Sequence, residues 1–593
     1  MFTRASKLRF RRKFRMRRRQ VTSFGEQTED QLDQHLFGRL ERLLPVRRFV
    51  SAWLGLMVIL IGAVVAQTFA LSGHYQVLNP TAGGVYTEGI IGEFTNANPL
   101  YATSLADRTV SKLIFSGLLT FDAQNELVGD LAAEWQADAR GEVYTLQLRE
   151  NLHWHDGKPL TADDVIFTYQ TIQNADAQSP LLQSWRNVTV VALDERTVEF
   201  KLSSALASFP YGLTNGIIPK HILGDVSPAD LRSVPFNSAE PVGSGPFQMQ
   251  AIETTGTNAE DREVRIALSK FVGYHLGEPQ LDGFTVRTFR SEENIIRSFE
   301  RKELNGLAGL VSAPPELEQP HTVFGFPQTA AMMTFFRTSD GVLGNKAVRQ
   351  ALVRGLDTSK VRKQLNYAAP PVDAPILRGQ IGYDEKSVQI SYDLAAAKSQ
   401  LKKAGWKEPS AGAVRQKEGK PLEFSLYAET NPETITITRE LQRQWRELGV
   451  NVKVELQTIA DFQITQSEHS YDAILRGIAI GPDPDVYVYW HSSQADVRSS
   501  SRLNFSEYST KQVDVALESA RTRLDPRLRA EKLKPFLDAW RTDAPAVGLY
   551  QPQSFYLTRG TVYGLDQHTV NGSSDRLANV HEWMIRRVKT TVD

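Results

Sequence analysis

The chain has 593 residues, 41% of them hydrophobic and 23% charged, with no cysteine and a formal net charge of zero. That length exceeds what one hydrophobic core organises, and the composition excludes both wholesale disorder and a polytopic membrane protein. The absent cysteines exclude disulfides, thiol catalysis, thiolate metal sites and a lipid-modified N-terminal cysteine.

The zero conceals an asymmetry. Residues 1–49 carry 14 Lys or Arg against 5 Asp or Glu, net +9, so the remainder is net −9. Ten of the first 19 residues are basic, with Phe2, Phe10 and Phe14 interleaved. Such a cluster can neutralise nucleic-acid phosphates, but beside a membrane helix it binds anionic lipid headgroups at about 1 kcal/mol per residue, and the lipid reading is preferred. Leu32, Leu36, Phe37, Leu40, Leu43 and Leu44 then recur at helical spacing before Pro45, an amphipathic segment suited to the inner leaflet or to a partner helix.

Residues 49–71 contain no charge. About 20 helical residues cross the roughly 30 Å hydrocarbon layer, so this run predicts one transmembrane helix. Arg47 and Arg48 flank its start and no charged residue follows before Glu88, which places residues 1–48 in the cytoplasm and the body outside. A cleaved signal peptide is the alternative; the long leader and long apolar run favour an uncleaved single-pass anchor, and either reading exports the body.

From Gly83 the pattern is that of a soluble α/β protein. Tyr144, Leu146 and Leu148 alternate as a half-buried strand, with a turn at Asp156-Gly157. Thr161 and Asp164 form a capping-box pair before a helical face of Val165, Ile166, Tyr169 and Ile172. Val188 and Val190 with Val198, Phe200 and Leu202 predict a hairpin across Asp194–Arg196. Asp393 caps a helix that stops at Gly405. Leu422, Phe424 and Leu426, then Ile435, Leu441, Trp445 and Leu448 up to Gly449, then Val450, Val452, Val454 and Leu456 predict a βαβ unit with parallel strands. Antiparallel hairpins early and a βαβ unit late imply at least two domains of different construction.

Catalytic signatures are missing: there is no GxSxG elbow, HExxH helix or Walker loop. His153, His155 and Asp156 share a strand end as a conceivable metal cluster, but no third imidazole is near, and the turn reading is preferred. Gly243-Ser244-Gly245-Pro246 lacks the lysine and helix of a phosphate loop and predicts a sharp turn. Glycosylation tripeptides begin at Asn187, Asn504 and Asn571 and carry no assigned role.

The order of segments is itself informative. Gly129-Asp130-Leu131-Ala132-Ala133-Glu134-Trp135, the stretch 144–169, then 217–223, 241–247, 347–357, 392–406 and 441–455 together resemble the family 5 extracytoplasmic solute-binding proteins, the peptide, dipeptide and nickel receptors of ABC importers. The resemblance implies an α/β, two-lobed fold of the type II periplasmic-binding-protein kind with an extra subdomain, preceded here by the membrane helix. It implies no enzyme activity and no cofactor, with a peptide or other small solute and the importer's membrane subunits as partners. The boundaries expected are a basic arm at 1–48, the anchor at 49–71, the start of lobe I at 84–125, its subdomain at 126–240, lobe I continued at 241–330, lobe II at 331–555 and the return to lobe I at 556–593.

Family members that bind peptides hold the ligand's ammonium with an aspartate in a segment resembling Gly-Trp-x-x-Asp-x-x-Asp-Pro. Here that place reads Gly477-Ile478-Ala479-Ile480-Gly481-Pro482-Asp483-Pro484, with isoleucine in place of tryptophan and no match for the first aspartate. Gly477, Ile478, Ile480, Gly481, Asp483, Tyr487 and Trp490 are therefore the expected ligand-binding residues, with Ile478 and Ile480 as apolar wall and a pocket tolerant of a neutral ligand end. Either Asp483 or Asp485 is a substitute amine partner, or Asp483 is a turn former before Pro484. A ligand sensor of the same fold that signals through the cytoplasmic arm is the alternative function.

Overall fold

The computed structural model describes residues 47–74, 76–256, 262–310, 317, 320–499 and 502–591. The basic cluster and the amphipathic segment before Pro45 lie outside them. The chain forms two units. The smaller one contains the 28-residue helix Arg47–His74 and most of a two-stranded sheet of Gln76–Thr81 and Arg586–Thr591. At 1.5 Å per residue the helix is about 42 Å long, and its large apolar side chains, Trp53, Leu56, Ile59 and Leu60 among them, are exposed.

The larger unit, Pro80–Arg586, is built on two sheets. The first has seven strands in the order Thr322–Pro327, Gln553–Thr558, Gly306–Leu310, Val85–Ile91, Gly283–Phe289, Glu263–Lys270 and Phe247–Thr255. Val85–Ile91 runs parallel to both of its neighbours and the other pairings are antiparallel. The second has five strands in the order Asn451–Gln457, Glu423–Glu429, Ala473–Ala479, Ala330–Phe336 and Ala546–Tyr550. Its first two are the parallel pair expected of the βαβ unit, joined through the helix Pro432–Glu447, and Gly449 takes the left-handed φ of +87° that ends that helix. Asp393 caps Leu394–Lys403 by accepting from the Ala396 N–H.

A four-stranded antiparallel sheet, Ala132–Ala137, Val143–Leu148, Thr197–Leu202 and Val188–Ala192, carries the helix Ala162–Gln173, whose Tyr169 packs edge-on against Phe200. Asp164 accepts from the Thr161 N–H at 3.0 Å. This subdomain shares one continuous core with the seven-stranded sheet, which has a second core with the helix Glu292–Glu300 around Ile295 and Phe299; the five-stranded sheet likewise has two separate cores. The two large sheets thus define two lobes.

Among the described residues the chain passes between the lobes at two places, residues 327–330 and 550–553. They are tied side by side: the Gln328 N–H donates to the Pro552 carbonyl at 2.9 Å, and Gln551 Nε2 donates to the Gln328 carbonyl at 2.6 Å. The expected boundary at 555 falls inside the strand Gln553–Thr558. That strand is fixed by a buried network: Tyr556 donates to Glu88 at 2.6 Å, Tyr86 and Tyr556 share a hydrogen bond at 2.8 Å, and Arg576 pairs with Glu88 where neither side chain is more than 2% exposed. An uncompensated charge there would cost several kcal/mol, so the C-terminal return and the central strand hold one another.

Candidate functional site

The strand Ala473–Ala479 ends at the crossing between the lobes, where the N–H groups of Ile480 and Gly481 both donate to the Thr329 carbonyl at 2.9 Å. Gly481 has φ +80°, a conformation that favours glycine, and Gln380 Nε2 donates to its carbonyl at 2.7 Å. The segment carrying the expected site residues therefore starts at the hinge and continues along the face that meets the first lobe.

Period-two alternation decides which of them face the interface. Gly477 and Ala479 are exposed, while Ile478 and Ile480 are buried in the core of the second lobe. The apolar wall expected from the two isoleucines is thus absent: they point to the face that the strand buries against Trp490 and Phe536. Trp490 is fully buried, 5.6 Å from Phe335 and 6.0 Å from Trp540, so it too is core and not cleft wall. Tyr487 is half-buried between the Arg521 guanidinium at 4.2 Å and the stacked His491 ring at 4.2 Å.

Asp483 is buried and makes a two-pronged ion pair with Arg529, which projects from the helix Pro526–Asp543. Burial alone would lower the Arg529 pKa; the Asp483 carboxylate outweighs it and holds the group above its ordinary value. Asp483 is therefore committed to an internal cation, beyond shaping a turn. Asp485 is likewise engaged, accepting from Arg521 Nη2 at 3.0 Å and, across the interface, from Ser208 Oγ at 3.2 Å. The Ala207 N–H donates to the Arg521 carbonyl at 2.8 Å.

Two first-lobe tyrosines feel the Asp483–Arg529 pair. Burial chiefly raises the Tyr144 phenol, to about 12, with Asp138 adding to it, Arg529 opposing and Asp483 adding less; burial and then Asp483 raise Tyr211, with Arg529 opposing. Tyr211 also lines a first-lobe cavity of about 410 Å³ with Arg108, Lys112, Phe121, Asn215 and Asp575. A second cavity, of about 350 Å³, lies where Asn187 and Leu206 of the first lobe face Tyr487, Glu518 and Arg521 of the second. Sequence reading missed Arg521, Arg529, Ser208, Tyr144 and Tyr211. Their signal is spatial: the arginine that neutralises Asp483 lies 46 positions away.

No group of three or more metal-ligating side chains occurs among the described residues. His153, His155 and Asp156 diverge: His153 bonds to the Asn151 carbonyl, and Asp156 pairs with His221 at 2.8 Å. His155 Nδ1 accepts from the Gly243 N–H at 3.2 Å, which places its proton on Nε2, 3.0 Å from the Gly245 carbonyl. Burial lowers its pKa to about 4, so it is neutral. The glycine turn it braces abuts the end of the helix Leu105–Ile114, with the Gly245 N–H donating to the Ile114 carbonyl at 2.7 Å. Asn504, in one of the glycosylation tripeptides, is fully buried.

Two lobes, two short crossings and a polar interlobe face define the class of hinged binding proteins. Residues 126–499 match the bacterial extracellular solute-binding proteins, family 5, and the chain belongs to that family. Its members are receptors and not enzymes. The chain is 25% identical over 521 residues to the oligopeptide-binding protein AppA of Bacillus subtilis, covering 86% of this chain and 93% of that one. It is 28% identical over 510 residues to protein XP55 of Streptomyces lividans, covering 83% and 87%. The solved structure of Bacillus subtilis AppA with a nonapeptide superposes with a TM-score of 0.65 at 24% identity, covering 86% of this chain and all of that one. That of NikZ from Campylobacter jejuni with Ni(L-His) gives 0.67 at 24% identity, covering 84% and 99%. The α/β fold is that of the periplasmic binding proteins.

Proposed function

We propose that this protein is a membrane-tethered extracytoplasmic receptor of an ABC importer that binds peptides or a similar small solute by closing its two lobes. The observation that carries the reading is the interlobe face itself. Two separately cored lobes, joined at two adjacent crossings, meet through Ser208, Asp485, Arg521 and the Tyr211 side of Asp483–Arg529. A pair of walls of that kind clamps a solute when the hinge closes, and the importer's membrane subunits read the closed form. AppA, named for oligopeptides and solved with a nonapeptide, supports a peptide-class solute. The exposed apolar helix Arg48–Thr68, following Arg47, supports an uncleaved anchor with its N-terminus inside.

A mixture of short peptides at one hundred times a typical dissociation constant is expected to stabilise the full chain by about 2.7 kcal/mol, read as a rise in Tm. An unchanged Tm at saturating concentrations would remove the peptide class. N-terminal sequencing of membrane-extracted protein is expected to return the original N-terminus; a start between residues 67 and 75 would show release instead of tethering.

A further inference from the structure

Resting on the receptor reading, we propose that the first-lobe cavity beside Tyr211 is an anion subsite that takes a carboxylate of the bound solute through Arg108 and Lys112, and that the receptor requires no free ammonium at the solute's other end. The two cations sit four residues apart on the helix Leu105–Ile114, so they share one face of it, and both line the 410 Å³ cavity. Lys112 is half-buried and held by donating to Thr120 Oγ1 at 2.8 Å, which leaves two of its protons for another acceptor. The Arg108 guanidinium is exposed and has no hydrogen bond or ion pair among the described residues.

Asp575 is the one carboxylate that lines the cavity among the described residues. Its Oδ2 is already engaged by the N–H groups of Asn571 at 3.1 Å and Gly572 at 2.8 Å. Phe121 and Tyr211, stacked at 6.2 Å and 18°, form a flat aromatic wall beside the cations. The cavity thus presents a surplus of positive charge in a partly enclosed space, where a planar carboxylate gains charge-assisted bonds from the arginine fork.

The second-lobe segment after Gly481, whose Asp483 acts on Tyr211 of the cavity, has the reverse property. Asp483 is neutralised by Arg529 and Asp485 by Arg521, with Ser208 donating a further hydrogen bond to Asp485, so both carboxylates of the segment after Gly481 are already occupied. A ligand ammonium arriving there would have to displace a buried arginine and leave it unpaired, which is strongly unfavourable. The two walls together select a solute with an anionic end and a neutral or indifferent remainder.

The test uses the full chain in detergent and three pools of random tetrapeptides: free, N-acetylated and C-amidated. The free and N-acetylated pools are expected to raise Tm alike, and the amidated pool to bind at least tenfold more weakly. Arg108→Gln with Lys112→Gln is expected to abolish that difference, whereas Arg108→Lys retains part of it. An amidated pool that matches the free acid, a double variant that binds like wild type, or loss of binding on N-acetylation would each overturn the proposal. Millimolar glutarate, a dianion without peptide bonds, separates this inference from the peptide reading. If no pool binds while glutarate raises the Tm of wild type and not of the double variant, the subsite stands and the peptide class falls. If neither the pools nor glutarate shift the wild type, both fall.

Discussion

Asp483 shows how the meaning of one residue depends on a partner distant in sequence. Read locally, Asp483-Pro484 offers a carboxylate at the place where peptide receptors hold an ammonium; in the fold Arg529 has taken that carboxylate. Asp483→Asn leaves a buried guanidinium without its counter-charge and is expected to cost about 3 kcal/mol in denaturant unfolding, while leaving the affinity ratio of free-amine to N-acetylated peptides unchanged. Replacing both members, as Asp483→Leu with Arg529→Met, is expected to recover most of that loss. His155 makes a second residue-scale prediction. Its folded pKa, lowered by burial to about 4, lies below the ordinary 6.5, so between these values the unfolded chain binds more protons and stability falls as pH falls. Between pH 7.5 and 5 this group alone accounts for about 2 kcal/mol of lost stability, and His155→Gln is expected to shrink the measured loss by that amount. The rest of the site was partly legible. Alternation identifies Ala473–Ala479 as a strand but leaves open which of its faces meets the cleft, and that choice reversed the roles assigned to Ile478 and Ile480.

The elements themselves were the most readable level, because their signals are short-range. Asp393 as a cap, Gly405 and Gly449 at positive φ, the hairpin across Asp194–Arg196 and the parallel pair around Pro432–Glu447 each follow from residues within a few positions of one another. The order of the seven-stranded sheet does not, since Gln553–Thr558 lies beside Gly306–Leu310 across some 250 residues of intervening chain. The turn Gly243–Gly245 falls between these cases: its sharpness was evident, but the reason for two glycines was not. A β-carbon on Gly243 would lie 1.9 Å from the Ile114 carbonyl oxygen, and one on Gly245 would lie 2.6 Å from the Ile114 carbonyl carbon. Gly243→Ala is therefore expected to destabilise the first lobe by more than about 2 kcal/mol, since the obstacle is backbone and cannot rotate away. A chemical melt of the variant checks this, with Gly572→Ala as the comparison that has open space around the added carbon and an extended backbone at φ −146°.

At the scale of the molecule, Tyr367 meets Phe555 edge-on at 5.2 Å beside the crossings, and away from them the bridges among the described residues include two hydrogen bonds, Ser208 to Asp485 and Ala207 to Arg521, and the approach of Gly141 to Leu524, where an added β-carbon would lie 3.2 Å from the leucine. Interfaces of this kind open and close with little cost. Asp485→Ala combined with Ser208→Ala is expected to raise the radius of gyration of the unliganded protein in X-ray scattering, and an unchanged value would show that these bridges do not hold the lobes together. The placement of Gln553–Thr558 also dictates an order of assembly. That strand lies between Gly306–Leu310 and Thr322–Pro327, and the Arg576 that neutralises the buried Glu88 comes later still. All five strands of the second lobe lie in one uninterrupted stretch, 330–550. A chain made from its N-terminus can therefore complete the lobe it makes second while the lobe it begins first still waits for its last strand, with Glu88 uncompensated until the end of synthesis. Nascent chains halted near residue 550 should accordingly yield a protease-resistant fragment beginning near Ala330, with everything before it digested.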